Sequence, residues 1–512
     1  MTTLDVVRNI SIAAFLFLLY NLLLPLWRSH RSPLRHLPGP PNPSIFRGQG
    51  KTIADELELQ EEWIAEYGHT LSYQGFLGIR RLYTIDTRAV HHVLAHPEYQ
   101  KPSIARKNLA RLAGNGLLIA EGEQHRQQRK VMNPAFGPTQ LRELTGIFVS
   151  KAIQLRDIWV NQVISTGFSS ARVDVLADIG RATLDVIGLA GFNYDFGALN
   201  EDDGPNELKQ AFETIFTPED SLRLLPVIHS YFPLSQCIKD DRARKVARAQ
   251  EVMRRIGLQL VAERKALIEA QDIPDCQRMS DEDVLAQVPT FLVAGHETIT
   301  TGTMWCLFAL TQNPRVQDKL RQELLAVPTQ TPTMDELNAL PYLDAFIRET
   351  MRYHPPVPST IRIATQDDVI PVSTPYTDVH GEVQTTIRVA KGDMVFVPIL
   401  SIHMNKELWG PDANEFKPER WEKIPEAVSA IPGTWSNTLS FLGGPRSCIG
   451  YRFALVEMKA LIFTLVRTFE FELGVRPEDV VKKSNIVQRP LIAGELEKGT
   501  QMPLLLKLHK AV

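Results

Sequence analysis

Residues 441–450 read "FLGGPRSCIG", and the fold is decided by what the one cysteine in this run does. Gly443, Gly444 and Pro445 precede Cys448 and Gly450 follows it, so the thiol lies in nearly bare backbone with Arg446 two residues away. For a lone thiol the ordinary reading is a buried cysteine in a turn. A thiolate is also a soft ligand, one of the few side chains able to hold a haem iron from below and leave the opposite face free. Backbone N–H groups of a glycine-rich loop can moderate the sulfur's donation, and bare backbone lets such a loop lie flat on a large planar ring. Arg446 could then fork onto a carboxylate at the ring edge.

The chain around this loop is ordinary globular material. It has 512 residues, 44% hydrophobic and 22% charged, enough apolar content for a large core. With 56 Lys and Arg against 59 Asp and Glu, the net charge of −3 gives no field to attract nucleic acid. Cys237, Cys276, Cys306 and Cys448 are widely separated, without the close pairing of a disulfide framework or a zinc site. A reducing, cytosol-facing environment follows.

The amino terminus suggests an anchor. Ile10 to Leu26 run without a charge, and as a helix they would cover roughly 25 Å of a hydrocarbon core about 30 Å thick. Arg28, Arg31 and Arg35 follow this run, which places the bulk of the protein on the cytosolic side. "PLWRSHRSP" lacks a small-residue cleavage site, so a cleaved signal peptide fits less well. We therefore expect a single N-terminal transmembrane helix over residues 1–27, a basic and proline-rich hinge over 28–51, and a catalytic domain over 52–512. Helical signals dominate from Thr52 to Tyr353, and short strands are expected at "HTLSYQGFLGIRRLYTID" and "TTIRVAKGDMVFVPI". The expected class is mainly α with a small β-rich portion.

Three further patterns carry possible chemistry. "AGHETIT", from Ala294 to Thr300, puts Gly295 and Thr298 in the most apolar helix, where a hydroxyl bonding back to the preceding turn loosens the ladder and opens a pocket. Glu297 beside Thr298 supplies a carboxylate and a hydroxyl in an oily wall, as a proton path requires; a kinked helix with these side chains turned to solvent is the plain alternative. "ETMR" places Glu349 and Arg352 on one helical face, commonly a surface pair of small energy. His125 and Arg129 share a face four residues apart, ordinarily a solvated basic one.

Phe441, Gly444, Arg446, Cys448 and Gly450 match F-x-x-G-x-R-x-C-x-G, and the chain is identified as resembling the cytochromes P450, in its microsomal, fungal form. The resemblance implies a cytochrome P450 fold holding haem b, with Cys448 as axial thiolate and Arg446 on a ring-edge carboxylate. It implies that Phe441, Gly444 and Gly450 shape the haem loop, and that Glu349, Arg352 and Arg420 of "FKPERW" brace it. "AGHETIT" resembles [AG]-G-x-[DE]-T, with Thr298 as the oxygen-activating threonine and Ile299 where many members repeat a threonine. Arg129 matches W-x-x-x-R with His125 in place of the Trp, and Arg362 in "PPVPSTIR" matches the arginine that reaches a propionate from the β-rich side. The implied activity is insertion of one atom of O2 into a lipophilic substrate. Electrons would come from NADPH through NADPH-cytochrome P450 reductase, with cytochrome b5 as a further donor, at the endoplasmic reticulum membrane. The reductase would dock near Arg126, Lys130, Arg452 and Lys459. Apolar pocket walls are expected near Ile104 to Leu118, Phe212 to Phe232, Ser359 to Ile361 and Gln488 to Ala493, and a terpenoid or other secondary metabolite is the expected substrate. Fatty-acid or xenobiotic hydroxylation, a reductase-independent isomerase or dehydratase, and a haem sensor remain alternatives.

Overall fold

A computed structural model describes residues 3–44, 48–49, 53, 56–200, 207, 211, 241–269, 279–484 and 486–509. Among them the strands in chain order are β1 (Thr70–Gln74), β2 (Arg80–Thr84), β3 (Tyr99–Gln100), β4 (Ser170–Asp174), β5 (Thr360–Ala364), β6 (Asp368–Thr377), β7 (Val383–Val389), β8 (Met394–Val397), β9 (Phe469–Leu473), β10 (Val480–Ser484), β11 (Gln488–Ile492) and β12 (Pro503–Leu508). Helices make up most of the remainder, as expected for a mainly α chain. Two compact units are present: Met1–Arg106, Pro218–Lys245 and Ser359–Ser401 form the first, and Lys107–Thr217, Val246–Pro358 and Ile402–Val512 the second.

The first unit is built on a mixed sheet of order β1-β2-β8-β5-β3, in which β2 and β8 run parallel and the other neighbours antiparallel. The two expected strand regions are β1–β2 and β7–β8. Aromatic side chains cover one face of the sheet, with Tyr83 stacked on Phe396 at 6.0 Å and Trp63 tilted 6.1 Å from Tyr73. In the β6–β7 ribbon the Asp378 carboxylate accepts from the His380 and Glu382 N–H groups at 2.8 and 3.1 Å, closing the turn in which Gly381 takes φ +86. Along the proline segment the Pro38 carbonyl accepts from the Ser72 N–H at 2.8 Å, and a side chain at Gly39 would collide with the Ser72 carbonyl.

One expectation is corrected here. A helix does form over Thr3–Arg31, past the expected end of the anchor, but no helix among the described residues is long and apolar enough to cross a membrane. The uncharged run is shorter than the roughly 20 apolar residues a span needs, and Tyr20, Asn21 and Pro25 dilute it. The expected transmembrane helix is therefore not supported.

The second unit centres on two helices. Asp281–Gln312 starts at Ser280, whose hydroxyl accepts from the Asp283 N–H at 3.1 Å, and three acidic residues in its first turn face the helix dipole favourably. Tyr451–Thr468 is buried without interruption from Phe453 to Val466. It packs against Pro138–Ser165, where the Phe148 and Phe453 rings meet edge to face at 4.8 Å. It also meets Asp281–Gln312 at Gly302, where an added Cβ would sit 3.2 Å from Met458. An antiparallel sheet of order β4-β12-β9 and the β10–β11 hairpin complete the unit.

Candidate haem site

Loop geometry explains the bare backbone. Gly444 takes φ +71, a left-handed conformation open to glycine. At Gly443 φ is extended, and the demand is one of space: a Cβ there would collide with the Pro432 carbonyl oxygen. The Cys448 N–H donates to the Phe441 carbonyl at 2.9 Å, closing the loop, while the buried Phe441 ring lies 5.4 Å from Trp435 and 6.0 Å from Tyr451. Gly450 caps Tyr451–Thr468, so the thiol stands at the positive end of an 18-residue helix.

Cys448 is exposed by surface area, yet burial pushes its thiol up from the ordinary value. The sulfur has accessible surface, while the protein packed around it still disfavours the charged form. The Gly450 N–H and the Arg129 guanidinium act against burial and favour the thiolate. An accessible sulfur, a backbone N–H aimed at it and a following helix N-terminus suit an axial metal thiolate, since a bound iron supplies the charge that burial withholds. The residues present therefore fit a haem-thiolate group. Among the described residues Cys306 and Cys448 are free thiols, and the fully buried Cys306 is pushed up to about 12 by burial; Cys237 and Cys276 lie outside the described residues.

The helix Gly122–Met132 is tied to the loop at two places. Arg129 donates through Nη1 to the Ser447 carbonyl at 2.5 Å and through Nη2 to the Ser447 hydroxyl at 3.4 Å. Arg446 pairs with the carboxylate of Glu121, immediately before that helix, a partner that reading the sequence missed. Arg446 thus engages a carboxylate, though a protein one. His125 is buried on the same helix. The expected docking patch is corrected in one member: Lys459 is buried, donating to Asp344 at 2.8 Å and Asn338 at 2.9 Å, while Arg126, Lys130 and Arg452 are exposed. A lysine in the middle of a core helix has no route to solvent.

Glu349, Arg352 and Arg420 come together as expected, all fully or nearly buried. Arg352 forks onto Glu349 through Nη2 at 2.7 Å and Nε at 2.9 Å, and Arg420 Nε lies 3.5 Å from the same carboxylate. The Trp421 Nε1–H and the Lys417 N–H also donate to the Glu349 carboxylate, at 3.1 and 2.9 Å. His403, which the sequence did not mark, carries the network to the loop. Its Nδ1 bonds the Arg352 carbonyl at 3.0 Å and its Nε2 accepts from the Leu439 N–H at 2.8 Å, a pairing that requires the neutral ring protonated on Nδ1. Burial and then Arg352 push it down to about 3. Ser440 donates to the Met351 carbonyl at 2.7 Å, so the two residues before Phe441 are both held.

On the central helix Thr298 donates to the Ala294 carbonyl at 2.7 Å, the expected back-bond, and the helix continues through it. At Gly295 a Cβ would sit 2.7 Å from Ile187, so the missing side chain admits the neighbouring helix Val175–Phe192. Glu297 is buried and pairs with Arg489 of β11, with His296 Nδ1 3.6 Å from its other oxygen. Burial raises its carboxyl, but His296 and Arg489 together outweigh this and hold it at about 2.

Arg362 belongs to the first unit. It is buried on β5 and donates to Thr360 Oγ1 at 2.7 Å and the Ile361 carbonyl at 2.9 Å. Of the expected pocket walls, Phe212 to Phe232 lie outside the described residues and Ser359 to Ile361 are half-buried in the first unit. The Leu117 N–H donates to Gln287 on the central helix at 2.8 Å.

A mainly helical fold whose cysteine loop opens one sulfur between a backbone donor and a helix N-terminus defines a haem-thiolate protein. The family description "Cytochrome P450" matches residues 38–493, and the chain belongs to that family. It is 53% identical to cytochrome P450 monooxygenase 205 of Postia placenta, with 100% of this chain and 99% of the relative covered. It is 34% identical to cytochrome P450 monooxygenase claO of Ampulloclitocybe clavipes, with 96% of each chain covered. It is 33% identical to a ganoderic acid synthetase of Ganoderma lucidum, with 94% and 95% covered. The protein is a cytochrome P450 monooxygenase, and the family implies haem with a cysteine thiolate and O2 as co-substrate.

Proposed function

We propose that this monooxygenase hydroxylates or successively oxidises a terpenoid or related lipophilic secondary metabolite, with Cys448 as the iron ligand. The supporting observation is the Cys448 sulfur itself, accessible on one side and facing the Gly450 N–H. When bound, haem supplies the activation of dioxygen: substrate, O2, NADPH and a proton give hydroxylated product, water and NADP+. The rest is work for this chain's own residues. Arg129 and Arg446 would neutralise carboxylates of the ring, Arg446 exchanging Glu121 for one of them, and His125 lies on the helix that carries Arg129; Arg362 keeps its proposed role toward a propionate from the resemblance of its sequence alone. Phe441, Gly444 and Gly450 keep the ring side of the loop flat. Glu349, Arg352 and Arg420 hold the loop from behind through His403. Thr298 Oγ1 donates to the Ala294 carbonyl, which leaves its lone pairs to accept a hydrogen bond, and Glu297 would be the carboxylate that takes up a proton beside it.

A relative at 33% identity is named for a product, ganoderic acid, which supports the substrate class. NADPH-cytochrome P450 reductase, aided by cytochrome b5, is the proposed electron source. Location at the endoplasmic reticulum with the catalytic part in the cytosol completes the reading. The exposed Leu16, Tyr20, Leu23 and Trp27 on one face of Thr3–Arg31 support attachment to that membrane, as do the arginines that follow. The test is expression with a fungal reductase, feeding a panel of terpenoids and fatty acids under labelled O2. One labelled oxygen in a terpenoid product, dependent on NADPH, is the expected result. Labelled fatty-acid products alone would move the enzyme to that class, and turnover without NADPH would identify an isomerase or dehydratase.

A further inference from the structure

Lys482 stands on β10 with its amine among aromatic rings and without a counter-charge. Its Nζ lies 3.0 Å from His354 Nδ1, 5.3 Å from the centroid of Trp305 and 6.0 Å from that of Tyr353. The rings are themselves held in place. His354 stacks on Trp305 at 4.9 Å and meets Tyr353 edge to face at 4.8 Å, while Trp305 Nε1 donates to the Gln488 carbonyl at 2.9 Å. Burial, then Lys482 and Arg352, push His354 well down, so its ring is neutral and Nδ1 accepts. Among the described residues His354 is the hydrogen-bond partner of Lys482, and no carboxylate reaches it. An ammonium would have three N–H groups for that one acceptor, whereas an amine carries fewer donors and a lone pair. Burial accordingly pushes Lys482 down to about 8. The residue is half-buried between the exposed Val481 and Lys483, so part of its surface stays open.

We propose that Lys482 is an acyl-acceptor site, a nucleophilic amine that takes a small acyl group from an acyl thioester. This chemistry is independent of the haem site and of the substrate reading. With one N–H held on His354 Nδ1, the lone pair points away from that ring. It attacks the acyl carbon, the carbon–nitrogen bond forms as the carbon–sulfur bond breaks, and the proton displaced from nitrogen leaves with the thiol. The product singles out the class of reagent. An amide is neutral, which removes the cost of an enclosed charge, and its remaining N–H still donates to His354 Nδ1. An imine formed with an aldehyde has no N–H for that acceptor, and a carbamate formed with carbon dioxide sets a negative charge against the electron-rich faces of the rings. The titratable groups packed around the amine are His354 and Tyr353, at the end of the helix Pro341–Tyr353, with Arg352 acting on His354. The central helix contributes Trp305, and β11 places Pro490 opposite, neither of which titrates.

The test incubates full-length, haem-loaded protein with acetyl-CoA from about pH 6 to about pH 9.5, a range spanning the site's titration, and reads acetyl occupancy at each lysine by peptide mass spectrometry. The exposed Lys406 and Lys423 serve as references. Near neutral pH Lys482 should be acetylated roughly tenfold faster than either, from its larger fraction of free amine. Its rate should level off above about 8, while theirs go on rising toward the ordinary lysine range. Pro490→Glu sets a carboxylate opposite Lys482 across the hairpin and should bring its rate down several-fold, to the reference level. Wild type unfolded in urea should lose the advantage as well, a comparison that requires no variant to fold. Labelling of Lys482 no faster than the references, a rate that climbs in parallel with theirs, an advantage that persists in urea, or an undiminished rate in folded Pro490→Glu overturns the proposal. Because acetylation is read without turnover, failure of the terpenoid feeding experiment leaves this result standing.

Discussion

Cys448 experiences two opposed influences, burial that favours the thiol and the Gly450 N–H with Arg129 that favour the thiolate. Burial prevails, so the thiol form is favoured, and a metal cation bound at the sulfur would shift it to the thiolate. Cys448→Ser removes the soft donor and keeps the size. We expect the reduced carbon-monoxide complex to lose the absorption of thiolate-bound haem, measured on protein purified after haem supply; retention of that absorption assigns the ligand elsewhere. The cysteine was legible because its neighbours within ten residues carry the pattern. Glu121, His403 and Arg489 were not, because each meets its partner across a long stretch of chain: Glu121 pairs with Arg446, His403 with Arg352 and Leu439, and Arg489 with Glu297.

Among the elements, the cysteine loop is shaped by contacts that local conformation does not reveal. Gly443 has an extended φ that any residue adopts, and its need for glycine comes from the Pro432 carbonyl lying where a Cβ would be. Gly443→Ala should therefore push the loop off its seat and lower stability by about 1–3 kcal/mol, the usual cost of overpacking, with a parallel loss of haem occupancy. Thermal unfolding and the haem-to-protein absorbance ratio measure the two effects; an unchanged ratio would remove Gly443 from the list of shape-setting residues. Helix periodicity located the central helix and Thr298 correctly, but it did not reveal that the absent side chain of Gly295 accommodates Ile187. Periodicity reports which residues share a face and says nothing about which neighbour that face meets.

For the whole molecule, buried titratable groups make stability depend on pH. His403 is neutral in the fold at about 3 against 6.5 in the open chain, and the buried His354 is also pushed well down, first by burial and then by Lys482 and Arg352. The unfolded chain therefore binds more protons than the folded one as pH falls below 6.5, and stability declines through that window toward 3 by up to about 1.4 kcal/mol per pH unit for each histidine. Glu457 acts oppositely: neither oxygen has a hydrogen-bond partner among the described residues, and burial raises it well above 4.5, so it opposes stability as pH rises beyond that value. His403→Gln keeps an N–H donor and an oxygen acceptor without the titration. Urea midpoints across this pH range should converge for wild type and His403→Gln at low pH; equal slopes for both would place the acid sensitivity elsewhere.

Local information was enough for the helix carrying Glu297 and Thr298, the strands β1, β2, β7 and β8, and a mainly α class, because spacing and periodicity act over a few turns of chain. It was not enough for the burial of Lys459, the relay through His403, the pairing of Glu297 with Arg489, or the absence among described helices of one fit to cross a membrane. Those depend on which distant segments pack against one another, and on the low-dielectric surroundings that this packing creates, where a buried charge is tolerated only beside its counter-charge.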